Sequence, residues 1–234
     1  MMVLNKIRKD LLSLENTEKS LVYKNFHKTG KDGYASGERF LGLTVSEIRD
    51  LAHKYIGIDF EEIKILLHSD IHEEKYLACE ILSAKYRKFP EKKEDIVKFY
   101  IKNSKLISGW DLVDTTAHQI LGDFLRNKNK NILCKFAKSD NSWERRISII
   151  STYSFIKENR FEDTYRIAEI LIKDKEDLIH KAVGWMLREV GKKDRAVLEA
   201  FLKKHYRNMP RTTLRYAIER FSEEERRAYL EGTA

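Results

Sequence analysis

Residues 108–124 read SGWDLVDTTAHQILGDF, and the rest of the chain can be understood outward from them. Ser108 followed three residues later by Asp111 is typical of a capping box, which predicts a helix with Trp110 in its first turn. Trp110 and Asp114 are one helical turn apart and therefore share a face. An aromatic ring beside a carboxylate suits a cationic ligand, so this helix is predicted to carry a binding face.

The same helical spacing runs through nearly the whole chain. Apolar residues recur at threes and fours, with only two prolines, ten glycines and no convincing strand pattern. This predicts an all-α protein of about a dozen helices in consecutive antiparallel pairs. Trp110, Trp143 and Trp185 fall in the first members of successive pairs, at spacings close to one HEAT-like repeat. We therefore expect one HEAT-like helical-repeat solenoid over residues 1–234, whose concave side suits a long ligand.

Several boundaries of individual helices can also be predicted. Residues 29–43, TGKDGYASGERFLGL, form the longest break in the helical pattern and do not fit a phosphate-binding P-loop, so we expect a structured connection. The helix that begins at residue 110 is predicted to run to about Arg126. The helix capped by Asn141 or Ser142 is predicted to continue to about residue 159. Gly191 is predicted to end the helix that contains Trp185.

The charge balance favours a polyanionic partner. Lysine and arginine outnumber aspartate and glutamate by 45 to 37, for a net charge of +8. Most of these charges are expected to solvate the outer faces of helices, so the bias alone does not identify the partner.

Cysteine use and hydropathy indicate the compartment. Cys79 and Cys134 lie far apart in apolar helical patterns and are expected to be reduced core residues. The sequence shows no signal peptide and no apolar run of about 20 residues that could span a membrane. We therefore expect a cytoplasmic protein.

Two groups of basic residues could contact a polyanion. Lys181 and Arg188 share a helical stripe with Trp185, although a core tryptophan bordered by extended cations would give the same pattern. Arg145 and Arg146 are adjacent in a first helical turn and point about 100° apart. We expect one of these two arginines to pair internally and the other to reach a phosphate.

The histidines are weaker candidates. His118 follows Asp114 by one turn and could form a general base pair with it, but a surface histidine explains the spacing better. His68 and His72 flank a predicted helix break without a third ligand, and no zinc-binding motif accompanies them. No metal site is predicted.

Three segments resemble the AlkD family of bacterial DNA glycosylases, in the same order and at similar spacings. They are WDLVDTTAHQILGDF at 110–124, SDNSWERRISII at 139–150 and HKAVGWMLREVGKK at 180–193. The resemblance implies a DNA glycosylase that excises N3- or N7-alkylated purines from duplex DNA without enclosing a flipped base. It implies no cofactor, no membrane, no obligate protein partner and a nucleoid-associated location.

The resemblance also implies roles for individual residues. Asp114, Trp110 and Trp185 match the catalytic cleft of the family, and Arg146 and Arg188 match its DNA-contacting residues. Arg145 and Lys181 join the predicted DNA-binding set from their helical positions alone.

Two other interpretations remain open from the sequence. The first is a family member without catalysis that binds distorted or branched DNA, against which Asp114 argues. The second is a HEAT-type scaffold for a protein partner, in which no convergence of Trp110, Asp114 and Trp185 would be expected.

Overall fold

The structure is a computed structural model that describes residues 2–30 and 33–234. The described residues contain helices and no strand, apart from an isolated β-bridge between Arg39 and Ile71. The all-α prediction is therefore confirmed. Packing of the Cα trace divides the chain into two compact units, Met1–Thr116 and Ala117–Ala234, and each is described separately. The single domain over residues 1–234 stays a prediction.

Among its described residues, the first unit contains seven α-helices and two short 3₁₀ turns, Pro90–Lys92 and Ser104–Leu106. The helices are α1 (Met2–Ser13), α2 (Thr17–Phe26), α3 (Val45–Lys54), α4 (Phe60–Leu67), α5 (His72–Lys88), α6 (Lys93–Lys102) and α7 (Trp110–Thr116).

The second unit begins with a π-helical turn, His118–Gly122, and also contains a 3₁₀ turn at Tyr206–Asn208. Its helices are α8 (Asn131–Ala137), α9 (Ser142–Ser151), α10 (Tyr153–Ile156), α11 (Glu162–Leu171), α12 (Asp177–Lys193), α13 (Arg195–His205), α14 (Arg211–Ala217) and α15 (Glu223–Glu231).

Side-chain caps place several helix starts where the sequence predicts them. Thr44 caps α3 and Ser222 caps α15, each in a reciprocal capping box with a glutamate three residues later. Asn141 accepts hydrogen bonds from the first turn of α9, which settles the predicted choice between Asn141 and Ser142. Because these caps satisfy backbone N–H groups locally, they can be read from a few residues of sequence.

Helix α5 is the centre of the first unit, where α1, α3, α4, α6 and α7 pack against it. Three buried glutamates of α5 bind other segments. Glu73 accepts the backbone N–H groups of Leu41 and Gly42 at 2.9 and 2.8 Å. Glu74 pairs with Arg8 of α1, and Glu80 pairs with Arg49 of α3.

The glycine-rich connection, residues 29–43, is held in place by hydrogen bonds to the start of α5 and the residues before it. The N–H of Arg39 donates to Asp70 at 2.8 Å, and the N–H of His72 donates back to Arg39 at 2.9 Å. Gly42 has a positive φ of 83°, and a Cβ there would lie 2.3 Å from a backbone oxygen of Asn16. The predicted structured connection is thus confirmed, except that Lys31 and Asp32 lie outside the described residues.

Helix α12 is the centre of the second unit and packs on α9, α11, α13 and α14. It continues to Lys193, so the prediction that Gly191 ends it is wrong. A Cβ at Gly191 would lie 2.4 Å from Cδ2 of Leu198, so the leucine side chain of α13 packs directly against the backbone of α12 at this position. Asp194 follows as the cap of α13.

Two predicted long helices are interrupted in the second unit. In the segment from residue 110, Gly122 donates its N–H to Ala117 at 2.8 Å, which is the wider π-helical pattern. A Cβ at Gly122 would lie 2.3 Å from the carbonyl oxygen of Ser151, so this bulge lies directly against α9. The other helix ends at Ser151, and Thr152 separates α9 from α10.

Burial of the remaining sequence landmarks agrees with most predictions. Trp143 is buried, as expected for a core residue. Both cysteines are free thiols; Cys79 is buried, whereas Cys134 is half-buried. Of the helices described, none combines the length and the apolar character that crossing a bilayer requires.

Candidate functional site

Trp110 begins α7, as the sequence predicts, but the predicted capping box does not hold it. The carboxylate of Asp111 instead accepts from Nε2 of His72 at 2.8 Å, and Ser108 accepts from Nζ of Lys75 at 3.4 Å. The start of α7 is therefore fastened to α5 by side chains that local sequence reasoning assigned to a cap.

The indole of Trp110 lies in an aromatic cluster. The ring of His27 stacks on it with centroids 5.4 Å apart and planes 19° apart. Phe26 meets it edge-on at 5.5 Å and is itself 67% exposed. Since His27 and Phe26 come from the end of α2, the N-terminal helices help to shape the surroundings of Trp110.

Asp114 lies one turn after Trp110, and both line one cavity of about 340 Å³ within the first unit. The other side chains around this cavity are mainly aromatic or apolar, and they include Tyr23, Phe26, Phe40 and Tyr76. An anion among aromatic rings is an arrangement that attracts cations. The structure thus brings two of the three predicted catalytic residues to one cavity.

His72 carries a buried charge in the wall of this cavity. Its Nδ1 lies 2.7 Å from Glu38 and its Nε2 lies 2.8 Å from Asp111. Burial by itself would lower the pKa of His72, but the two carboxylates outweigh it and raise the pKa to about 9. Burial would likewise raise the pKa of Asp111, yet His72 holds it below its usual value.

Three side chains of this region could hold a metal ion, although the sequence predicts none. One ligand atom each of His27, His72 and Asp111 lies within 4.8 Å of the other two. Sequence reasoning missed this cluster because its members lie on different elements and match no spacing motif. Burial at helix ends is decided by packing rather than by local pattern.

Trp185, the third predicted catalytic residue, lies on α12 in the second unit. Its Nε1 donates to Glu189 one turn later at 3.1 Å. The ring centroids of Trp185 and Tyr153 are 6.3 Å apart. Tyr153 also contacts His118, with ring centroids 5.4 Å apart. The indole is therefore oriented by its own helix and by α10.

The adjacent arginines of α9 have different surroundings. Arg145 donates to both carboxylate oxygens of Asp174, at 2.6 and 3.3 Å, and to two backbone carbonyls. Arg146 is only 4% exposed and donates to the carbonyl of Leu178 at 2.5 Å. Both guanidinium groups thus support the second unit from within, and their roles toward DNA stay predictions.

The predicted basic stripe of α12 consists of cations with carboxylate partners. Lys181 pairs with Asp177 at 2.8 Å, and Arg188 pairs with Glu219 of the segment after α14. Lys181 and Asp177 are 37% and 49% exposed. Exposed pairs of this kind contribute little to stability, so a phosphate can replace the carboxylate at low cost.

The sequence favours a surface position for His118, but the side chain is half-buried in the π-helical turn. Burial and the charge of Lys157 lower the pKa of His118 to about 4. The imidazole is therefore neutral at physiological pH, which makes it a weak base.

Comparisons with known proteins identify the family. The model of the family described as "DNA alkylation repair enzyme" matches residues 7–221. The match covers most of the chain, so the protein belongs to this AlkD-like family of DNA alkylation repair enzymes. Membership gives it a role in the repair of alkylated DNA and DNA as a binding partner. No curated protein matches the sequence.

Two solved structures share the fold. A "Predicted DNA alkylation repair enzyme from Enterococcus faecalis" is 17% identical, with a TM-score of 0.72, 89% of this chain covered and 97% of that chain. The protein smu.31 from Streptococcus mutans is 19% identical, with a TM-score of 0.51, 80% of this chain covered and 90% of that chain. The shared fold confirms the predicted all-α helical-repeat class.

Proposed function

We propose that this protein is a DNA glycosylase that hydrolyses the N-glycosidic bond of positively charged N3- or N7-alkylated purines in duplex DNA. The observation that carries the proposal is the pairing of Asp114 with Trp110 at one aromatic cavity. A carboxylate beside aromatic rings favours positive charge, and positive charge is what such a lesion carries and what its hydrolysis develops.

The leaving group needs little catalytic assistance. An N3- or N7-alkyl purine is cationic and departs as a neutral base, so a strong general acid is unnecessary. As the bond stretches, positive charge grows on the deoxyribose, and the fixed carboxylate of Asp114 stabilises that charge. The same carboxylate orients the water that attacks C1′.

Both tryptophans have a role in the proposed mechanism. Trp110 presents a ring face to the deoxyribose, excludes bulk water and attracts the cationic centre. Trp185 keeps the catalytic role that the family resemblance implies. Their orientations are supported by separate contacts, since Trp110 stacks on His27 and Trp185 donates to Glu189. Recognition then rests on the charge of the lesion, without enclosure of a flipped base.

Phosphates would be bound by exchange of ion-pair partners. Arg188 and Lys181 have carboxylate partners in the free protein, and we propose that DNA phosphates replace them. We assign Arg145 and Arg146 to the same DNA-binding set; both are held by internal hydrogen bonds in the free protein, which a phosphate contact would have to replace. Binding of this kind weakens steeply with salt and shows little sequence preference.

Asp114→Asn tests the proposal directly. The change keeps the size of the side chain and removes its charge, so we expect release of 7-methylguanine from methylated duplex DNA to fall about 100-fold or more. DNA affinity should change little. Single-turnover base release and fluorescence anisotropy measure the two quantities.

Asp50→Asn is the matched control, because Asp50 is an exposed aspartate on α3 of the same unit. Its excision rate should equal that of the wild type. Equal excision by Asp114→Asn and Asp50→Asn would remove Asp114 from the mechanism. Tight binding without base release by the wild type would instead favour a non-catalytic protein for distorted DNA.

A further inference from the structure

We propose that His27, His72 and Asp111 form a binding site for one divalent transition-metal ion, most suitably Zn²⁺. One ligand atom from each of the three lies within 4.8 Å of the others. Two imidazoles and one carboxylate are a common ligand set for zinc, and they leave a fourth position open. The inference is independent of the glycosylase proposal, because it concerns binding of the metal alone.

Burial distinguishes this cluster from an incidental group of surface side chains. His27 and His72 are 6% and 5% exposed. Nδ1 of His27 is buried and has no hydrogen-bond partner among the described residues. Oδ1 of Asp111 is also buried and makes no hydrogen bond of normal geometry there, although the backbone N–H of Leu112 lies close enough to help lower the pKa of this carboxyl. Unsatisfied buried polar atoms are uncommon in folded proteins, so the unpartnered nitrogen of His27, facing a second imidazole and a carboxylate, points to a cation-binding position.

The outer surroundings of His72 match those of a metal-binding histidine. Its Nδ1 lies 2.7 Å from Glu38, and the other oxygen of Glu38 accepts from Lys75 at 2.7 Å. A carboxylate on the remote ring nitrogen typically orients a metal-ligating histidine. Here it turns Nε2 of His72 toward Asp111.

The space for the ion lies beside a hydrogen bond that the ion would replace. Nε2 of His72 and Oδ2 of Asp111 are 2.8 Å apart. Metal–ligand bonds of about 2.0–2.2 Å require these atoms to separate by roughly 0.5 Å. The ion then takes the place of the proton between them, which passes to solvent.

The ion would join three segments of the first unit. His27 caps the end of α2, His72 opens α5, and Asp111 lies in the first turn of α7. Because His27 stacks on Trp110, a metal bound there would also fix that indole. The three ligands line the same cavity as Trp110 and Asp114, so a bound ion would join α2, α5 and α7 at its wall.

Metal titration of the full-length protein tests the site. After chelator treatment, we expect calorimetry to show one equivalent of Zn²⁺ bound, and Co²⁺ to give visible absorption that Zn²⁺ abolishes. His27→Ala and Asp111→Asn should each lose this binding. Glu38→Gln should weaken it about 10- to 100-fold.

His53→Ala and His68→Ala are the controls, because both histidines are exposed and lie outside the cluster. Their zinc affinity should equal that of the wild type. Imidazole ¹⁵N spectra of the wild type give a test that needs no folded variant: Zn²⁺ should shift His27 and His72 and leave His68 unchanged. No bound equivalent, or binding that His68→Ala removes, would overturn the proposal.

Discussion

His118 illustrates how burial changes the chemistry of a single side chain. Its pKa is lowered to about 4 by burial and by Lys157, so the folded protein keeps it neutral. A neutral histidine one turn from Asp114 has little basicity to offer catalysis, which supports a mechanism that relies on the carboxylate. The same lowered pKa has a consequence for stability.

We expect His118 to destabilise the protein as the pH falls from 6.5 toward 4. In that window the unfolded chain binds a proton that the folded chain excludes, so the free energy of unfolding decreases; above it, this residue contributes no pH dependence. The loss between pH 7 and pH 5 should be about 1 kcal/mol after allowance for partial exposure. Urea unfolding at both pH values measures it.

His118→Asn should remove that part of the pH dependence, whereas His53→Asn, a change at an exposed position, should leave it intact. If both variants lose stability with pH in parallel with the wild type, His118 does not titrate in this window.

At the scale of elements, α12 shows why a glycine can be essential without a turn. A Cβ at Gly184 would lie 2.5 Å from both the carbonyl oxygen of Thr213 and Cβ of Tyr216. Backbone and Cβ atoms cannot rotate aside, so α14 lies against α12 only because position 184 has no side chain.

Gly184→Ala should therefore lower the free energy of unfolding by about 1–3 kcal/mol, despite the higher helix propensity of alanine. Gly57→Ala is the control, because nothing lies within 4 Å of a Cβ there. Urea denaturation of the two variants decides the matter. Greater stability of Gly184→Ala would mean that α14 shifts freely away from α12.

At the scale of the whole molecule, the net charge of +8 and the family assignment point to phosphate as the main source of DNA affinity. Many cations, however, already have carboxylate partners. Each one contributes to DNA binding only as far as it can exchange that partner, so the total charge overstates the number of phosphate contacts.

Arg188→Ala should weaken duplex binding and reduce the slope of log affinity against log salt by about 1. Lys98→Ala is the control, because Lys98 is 68% exposed in a pair on α6 and is not in the predicted DNA-binding set. Anisotropy titrations at several salt concentrations measure the slopes. An unchanged slope would exclude a phosphate contact at Arg188.

Arg146→Ala should likewise weaken binding and reduce the slope. Because Arg146 is 4% exposed and holds the carbonyl of Leu178, an affinity loss at constant slope would show that it acts by supporting α12.

The sequence by itself determined the helical class and many helix starts. Caps such as Thr44 and Ser222 bond to groups within four residues, so the helix starts that they fix can be predicted from a short stretch of sequence. Helical spacing predicted a binding face at Trp110 and Asp114, family likeness assigned these two and Trp185 a catalytic role, and the structure places the first two at one cavity.

Only the tertiary structure decided how distant side chains are used. The sequence predicts Asp111 as part of a helix cap, but it binds His72. It predicts Gly191 as a helix end, but Leu198 packs against that glycine. No sequence pattern indicates that His27 lies beside His72 and Asp111. Each outcome depends on which helices pack together. Packing is a property of contacts between residues far apart in the chain, and no local pattern records it.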